Sequence, residues 1–476
     1  MTTPQRLPFR ANKRWRNVPK NQSMVPPRTY SPGTLAELVQ VVEEAERRGV
    51  SIRAVGSGHS WSDAALTEGF LVLPDNLREP LEYQPGLAWV QSGMRIRELN
   101  EWLRSHGAAL PNMGGYDGQT VAGVISTSTH GSGIEFGPLS DLVRSIDIVA
   151  AGGVVHRIEP AAGPTATAPA GYELVKDDFT FECARVGIGC LGLIYAVAIE
   201  VIPSYLLTEK RERSTWEKES GRIEAGIAGN RHFELYLNPH PDSNGKHLCM
   251  VTTRVRAEKL PWWGSSKRRR RLRVELLSRL PGMGSALNLA VAVLPKLTPF
   301  FLTMTLKALT DDAFTNRSYR VLNIGAANYL PAHSAEIGVP ITRAVEAIDE
   351  VIRVAARERE RGHVHSAPIA MRFVKQSNAP MSMMHGRDTM MIELILVSRT
   401  PGGAELLAAY EEALRPLQGR PHWGQINRLA AGRDSLESMY DEYPRWLEVQ
   451  RRYNSSGVFD SPFSKRVGIS GQAGPA

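Results

Sequence analysis

The run Gly114-Gly115-Tyr116-Asp117-Gly118-Gln119-Thr120-Val121-Ala122-Gly123, continuing into Ser126-Thr127-Ser128-Thr129-His130-Gly131-Ser132-Gly133, constrains this chain most. It has too little apolar bulk for a core strand and too many turn formers for a surface helix. Unless it is simply a long flexible loop, it lies against a large polar ligand through backbone N–H groups and hydroxyls. A second glycine cluster, Gly56-Ser57-Gly58-His59-Ser60, directly follows the strand-like stretch Val50–Val55. Taken alone it fits a tight strand-to-loop turn with a surface histidine. Taken with the longer run, it reads as a second place where amides converge on an anion such as a pyrophosphate.

A third segment, Gly187-Ile188-Gly189-Cys190-Leu191-Gly192, satisfies the dinucleotide fingerprint literally. That fingerprint acts between a strand and a following helix, whereas here a helical stretch precedes and the strand-like Leu193–Val201 follows. A Rossmann reading is rejected, and these glycines are expected to make a close turn beside a ligand.

With 476 residues, 42% apolar and 22% charged, the chain has room for two or three compact units, and its composition excludes wholesale disorder, collagen and coiled coil. The net charge of +8 biases it toward anionic partners without establishing nucleic-acid binding, and no specific nucleic acid is expected. Cys183, Cys190 and Cys249 form neither a metal-ligand spacing nor an even disulfide framework, which fits a reducing compartment, and no metal is expected. Met1–Lys20 is basic and lacks the apolar stretch of a secretory signal, so the chain reads as cytoplasmic.

The first two hundred residues read as an α+β unit. A helix is expected after Ser31-Pro32, and strands at Leu71–Leu73, Ala88–Gln91, Ile146–Ala150, Val154–Ile158 and Leu193–Val201, with Gly152-Gly153 as a hairpin turn. From about Tyr205 a second α+β unit follows. Its strands are Phe233–Leu237, Met250–Val255, Ile369–Val374 and Met390–Val397, and its helices Val345–Glu360 and Ala404–Leu414. Leu436–Tyr440 and Trp446–Tyr453 are helical again, and no internal repeat is present. Gly282–Leu309 is almost uncharged, but Pro295, Lys296 and Pro299 divide it into pieces about half the ~20 residues of a membrane span.

Ala54-Val55-Gly56-Ser57-Gly58-His59-Ser60-Trp61-Ser62-Asp63, the Gln119–Gly133 run and Pro421-His422-Trp423-Gly424 together resemble the aldonolactone oxidase and alditol oxidase group of the vanillyl-alcohol-oxidase-type FAD-linked oxidases. The resemblance spans about Trp15 to Gly468 in unbroken order. It implies an α+β protein with a two-subdomain, PCMH-type FAD-binding domain and an α+β cap domain over the flavin ring. The expected boundaries are 15–204 for the FAD domain, 205–430 for the cap with an insertion near 265–310, 431–468 for a helical segment returning to the FAD domain, and 469–476 for a tail.

By the same resemblance His59 is the residue covalently bonded to FAD, through a neutral imidazole nitrogen that is nucleophilic toward the flavin's 8-methyl tautomer. The 114–133 run has no cysteine, so a single link is expected. Gly56, Ser57, Gly58 and Ser60 are expected around the pyrophosphate. Gly115, Thr120, Gly123 and Ser126 fall to the diphosphate and ring, Ile194 to the adenine side, and Gly131 is counted among the cofactor-binding residues. Gly114 takes the place of a small residue near the reactive face, which suits dioxygen access.

Three departures bear on the substrate. The family's glutamate four residues before a proline is sought in Ala327-Asn328-Tyr329-Leu330-Pro331, where Ala327 stands; the lysine after His-Trp-Gly is Gln425; the acidic residue two before Arg372 is Ala370. Joint loss of opposite charges is one remodelling event, because an unpaired buried charge costs several kcal/mol. The expected substrate is therefore a small molecule less polar than a sugar lactone. Candidates for handling its hydroxyl or amine proton are Tyr236, Tyr329, Arg372, His385, His422 and Gln425; His385 equally fits a turn brace and His422 a packed, hydrogen-bonded ring.

The expected activity is an FAD-dependent oxidase that moves a hydride from a hydroxyl- or amine-bearing carbon to flavin N5 and then to dioxygen. The alternatives are a same-fold dehydrogenase using a quinone or protein acceptor, and a non-catalytic flavin-fold binding protein at a membrane or nucleic acid. The basic run Lys267–Arg271, ordinarily a solvated face, precedes Leu280, Leu287, Leu289, Val291, Val293, Leu294 and Phe300-Phe301-Leu302. Together they read either as a plain cap insertion or as an apolar lid or peripheral membrane contact over 267–309.

Overall fold

The computed structural model describes residues 7–260, 283–324 and 331–471. Three sheets organise them. A four-stranded sheet runs in the order Phe9–Ala11, Arg28–Tyr30, Phe70–Val72, Ile52–Ala54, its last three strands parallel. The helix Leu35–Arg47 covers it with Leu38, Val41, Val42 and Ala45. This helix starts later than Ser31-Pro32 implied, because the Thr34 side chain is the cap that accepts the Glu37 amide.

A six-stranded sheet follows, in the order Glu173–Lys176, Val155–Glu159, Val143–Val149, Leu193–Glu200, Leu87–Gln91, Pro80–Gln84. Gly152 and Gly153, both at positive φ, turn its central hairpin as expected. Ile194 lies at the start of the Leu193–Glu200 strand. The helix Asp178–Arg185 precedes Gly187–Gly192 and this strand follows, which is the order that rules out a Rossmann crossover.

The third sheet has eight strands, ordered Asp311–Arg317, Leu206–Thr215, Leu248–Ala257, His232–Leu237, Ile369–Val374, Thr389–Val397, Ala332–Pro340, Arg420–Pro421. Its period of two separates the faces. Phe233, Leu235, Ile337, Met371, Phe373, Ile392 and Leu394 point to a core made with the helices Ala344–Glu360 and Gly403–Leu414. The residues between them point to the opposite face, where Tyr236, Glu336, Arg372 and Glu393 line a cavity and Glu234 is buried beside them.

The glycine-rich run ties this sheet to the rest. Gly133 N–H donates to the Phe373 carbonyl at 2.7 Å, Ser132 Oγ donates to the Phe233 carbonyl at 2.5 Å, and Ser128 and Ser382 share a 2.8 Å hydroxyl bond. The first motif is pinned at its other end, where Trp61 N–H donates to Gly424 O (2.8 Å) and Ser62 Oγ to Trp423 O (2.7 Å). Beyond residue 430 the chain packs against the N-terminal sheets: Ile52 N–H donates to Val458 O at 2.7 Å, and Arg466 pairs with Asp63.

The proline-broken apolar stretch forms two helices, Met283–Val293 and Thr298–Leu309, bent by 101°. Among the described residues no single helix is long and apolar enough to cross a membrane. Lys267–Arg271, Leu280 and Tyr329 lie outside the described residues.

Phe463 is fully buried in the short helix Pro462–Val467, within the core that joins the C-terminal segment to the six-stranded sheet. Phe463→Ala should cost about 3–5 kcal/mol, read as a lower urea midpoint with an unchanged m-value. A midpoint within error of the parent would mean that this segment docks without contributing to the core.

Candidate functional site

The N-terminal half of the cavity is built from backbone. Gly56 packs so tightly on Thr120 that a Cβ would come within 2.0 Å of Thr120 Oγ1, so the two glycine segments interlock only without a side chain there. Thr120 also caps the short helix Val121–Ser126. Among the described residues, the amides of Ser57, Gly58, His59 and Ser60 donate to no protein acceptor, and all four residues line the cavity. Arg53 braces the cradle from behind by donating to Ala64 O (2.7 Å), Ile188 O (2.6 Å) and Gly189 O (2.8 Å), which ties the first motif's strand to the third glycine segment.

His59 faces Tyr116, with ring centroids 4.2 Å apart. Burial pushes its imidazole down to about 4, so at neutral pH the ring is uncharged and keeps a nucleophilic nitrogen.

The eight-stranded sheet supplies the polar half. Glu336 and Glu393 stand directly opposite one another on neighbouring strands, a repulsive arrangement resolved by Arg372 from the next strand. Arg372 Nη1 lies 2.7 Å from Glu393 Oε2 and 3.4 Å from Glu336 Oε1. His130 Nε2 reaches the same Glu336 oxygen at 3.3 Å, while its Nδ1 lies 2.9 Å from the Gly131 carbonyl. Burial by itself would raise the Glu336 carboxyl, but His130, His422 and Arg372 outweigh it and hold it well below the usual carboxylate range. Glu234 is likewise held at about 2, since Arg254 and Arg372 outweigh its burial. Tyr236 donates to Glu234 at 3.0 Å, and burial pushes its phenol well up, so it stays a donor.

His422 is buried and pushed down to about 4 by desolvation. The Gly424 N–H donates to its Nδ1 at 2.9 Å, so the neutral ring carries its hydrogen on Nε2 and acts as a donor. The ring is thus hydrogen-bonded through Nδ1 and also lines the cavity. His130, Glu336 and His422 bring their donor atoms within 4.8 Å of one another, a set that types as a cation site, although Arg372 already supplies positive charge at the shared oxygen.

Most of the expected site residues converge on this one cavity of about 1400 Å³: Gly56, Ser57, Gly58, His59, Ser60, Gly114, Gly115, Thr120, Gly123, Ser126, Ile194, Tyr236, Arg372, His422 and Gln425. Two do not. Gly131 lies behind the wall, where a Cβ would meet the Met113 carbonyl at 2.5 Å, so it serves packing. His385 is turned away and paired with Asp441 at 3.2 Å, bracing the Ser377–His385 turn.

The expected neutralisation of the site is also corrected. Glu336, four residues ahead of Pro340, also satisfies the pattern of a glutamate four residues before a proline, and it lines the cavity; the expected position Ala327 lies outside the described residues. Glu393 and Glu234 add further carboxylates to the same face, while Gln425 and Ala370 remain uncharged. Sequence reasoning missed Glu336, Glu393, Glu234, Arg254 and His130. The available signal was alternation: each of the three glutamates sits between apolar residues in a strand, the position where a charge has to serve a buried polar face.

The site fits FAD and a second molecule. Ser92 Oγ, on the cradle side, and Ser334 Oγ and Gln425 Oε1, on the polar side, are buried cavity-lining atoms without a partner among the described residues. The volume exceeds the roughly 300–1,000 Å³ usual for one small ligand.

Comparison with known proteins bears on the same regions. The D-arabinono-1,4-lactone oxidase family pattern matches residues 197–467, and the FAD binding domain pattern matches 26–159. The chain is 28% identical over 462 residues to an L-gulono-1,4-lactone dehydrogenase of Mycobacterium tuberculosis, covering 95% of this chain and 98% of that protein. It is 23% identical over 460 residues to the L-gulonolactone oxidase of Mus musculus, with the same coverage. The crystal structure of cholesterol oxidase from B. sterolicum superposes with a TM-score of 0.78 over 98% of this chain and 99% of that one, at 14% identity, a likeness of fold alone.

Burial also holds His232 down at about 3, so His232 and His422 are both neutral in the folded protein and take up protons on unfolding below about pH 6.5. Stability should therefore fall as pH drops from about 6.5 toward 4. His232→Asn should lose about 2 kcal/mol less than the parent between pH 7 and pH 5 in urea unfolding; identical losses would contradict the assignment.

Proposed function

Because the chain belongs to the D-arabinono-1,4-lactone oxidase family, we propose that it oxidises a hydroxyl-bearing carbon of a small molecule held against Glu336, Arg372 and Gln425, with its FAD joined covalently to His59. Bound FAD supplies the acceptor for the two electrons and the hydrogen that leave that carbon. The observation that carries this reading is the single cavity in which a backbone cradle with free amides faces a buried, charged sheet surface.

The chain's own residues divide the work. The amides of residues 57–60 hold the anionic bridge of the cofactor, and the neutral His59 ring offers the nitrogen for the bond. Gln425 and Ser334 present unpaired polar atoms toward the substrate hydroxyl. Glu336 is ionised and accepts that hydroxyl's hydrogen bond. As the carbon loses its hydrogen the O–H becomes strongly acidic, so even a weakly basic carboxylate takes the proton, while His130 and Arg372 hold Glu336 in place. Tyr236 and Arg254 keep Glu234 fixed at the edge of the same surface.

The restored carboxylates make a polyhydroxylated head, such as the lactones for which the relatives are named, compatible with the reacting end. Dioxygen is the proposed electron acceptor, supported by the bare Gly114 in the cavity wall. A dehydrogenase passing electrons to another acceptor is the second reading, favoured by the name of the mycobacterial relative. Peroxide formed on turnover in air separates the two.

Three outcomes follow. Acid-precipitated protein should stay yellow, and His59→Ala should release its flavin to the supernatant; a colourless parent pellet would exclude the bond. Glu336→Gln should keep its flavin absorbance yet reduce kcat about 10²–10⁴-fold, and a loss of only a few-fold would remove Glu336 as the proton acceptor. Under anaerobic conditions an alcohol or aldonolactone should bleach the flavin. A broad screen with no bleaching would end the oxidation reading.

A further inference from the structure

The helix pair Met283–Val293 and Thr298–Leu309 is apolar on two sides. Its inner side, with Leu287, Val291 and Leu302, forms part of the cavity wall. Its outer side exposes Leu289 (57%), Val293 (63%) and Phe300 (61%) together with Leu294 and Leu297. Phe301 and Met304 belong to both sides: they line the cavity and are 44% and 50% exposed, so the apolar patch is the rim of the cavity itself. A patch of this kind, continuous with a ligand cavity, marks an interaction surface.

The pair is fastened to the sheet domain by polar anchors, with Asn238 Nδ2 donating to Thr303 Oγ1 (2.9 Å) and the Arg399 N–H to Asn288 Oδ1 (3.1 Å). It is therefore held with its outer side turned to solvent. With 11 and 12 residues at about 1.5 Å each, neither helix reaches across a ~30 Å hydrocarbon core. The sharp bend lays them along a surface instead.

We infer that this outer side rests on an anionic lipid bilayer, from which an amphiphilic substrate enters with its hydroxyl-bearing head toward Glu336 and its apolar body along the helix pair. Charge selects the occupant. From Ser285 to Thr310 the charged residues are Lys296 and Lys307, both basic and both exposed, so the face carries positive charge and no negative charge. Two such faces brought together in a dimer would repel, whereas anionic headgroups attract them. The cavity's own polarity gradient, charged on the sheet and apolar at the rim, matches a molecule with a polar head and an apolar body. The inference rests on the reading of this cavity as the oxidation site.

The test is co-sedimentation of the flavin-loaded full chain with phosphatidylcholine vesicles, with and without phosphatidylglycerol. The protein should sediment with the anionic vesicles and be released by salt. Combining Leu289→Asp, Val293→Asp and Phe300→Asp should weaken binding at least about 100-fold, with flavin content and turnover of a short soluble alcohol unchanged. A parent that stays in the supernatant with both vesicle types would overturn the docking surface. So would a stable dimer that these substitutions dissolve, since a second copy would then cover the patch. A vesicle-borne long-chain alcohol turned over no better than its short analogue would overturn the delivery of substrate. Flavin that no alcohol bleaches, beside intact vesicle binding, would instead be the failure of the oxidation reading.

Discussion

Two carboxylates that face each other across a β-ladder can both remain charged in a buried sheet only if a cation lies between them. Arg372 is that cation for Glu336 and Glu393; Arg254, on the strand between those of Glu209 and Glu234, pairs with both of these carboxylates. Removing one member of such a set leaves an uncompensated buried charge, at a typical cost of about 3–5 kcal/mol. The polar face of the eight-stranded sheet is thus a mutually dependent array. Its geometry is held in advance of any substrate, which is what electrostatic preorganisation requires.

That array is useful because the glycine-rich run closes over it. Ser132 and Gly133 bond directly to the strands that carry Glu234 and Arg372, and the His-Trp-Gly segment is clamped to the first motif through Trp61 and Ser62. The bonds that join the two halves of the protein therefore also set the distance from the amide cradle to the charged face. His130 belongs to both halves, since it sits within the run and touches Glu336. The cradle needs residues without side chains where the segments interlock, as the Gly56–Thr120 approach illustrates.

The rest of the cavity obeys the opposite chemistry. The helix pair after residue 282 contributes aliphatic and aromatic surface, so polarity declines from the sheet to the rim. Glu336, Glu393 and Arg372 make the reacting end strongly charged, and only the approach is apolar. A reacting head and an apolar body then fall to different parts of one pocket.

Local pattern carried much of this. The β-alternation placed the strands Ile369–Val374, Thr389–Val397 and His232–Leu237 to within a residue or two, the prolines broke the apolar stretch where its helices part, and three ordered motifs were enough to reach the flavin-binding fold. Those signals are encoded in neighbouring residues, by side-chain period and backbone freedom, so they are readable along the chain. Which carboxylates meet which arginine was not readable. Glu234, Glu336, Arg372 and Glu393 are scattered over about 160 residues and become neighbours only through strand order and register. Gly131, expected at the cofactor by resemblance, and His385, a candidate for proton handling by residue type, are not at the site: the fold turned His385 toward Asp441 and packed Gly131 behind the wall. Composition and periodicity determined the elements and the cradle; the charges of the reacting surface, and the apolar rim that frames it, were decided by the pairing of distant strands, because a buried charge is tolerated only where the fold delivers its partner.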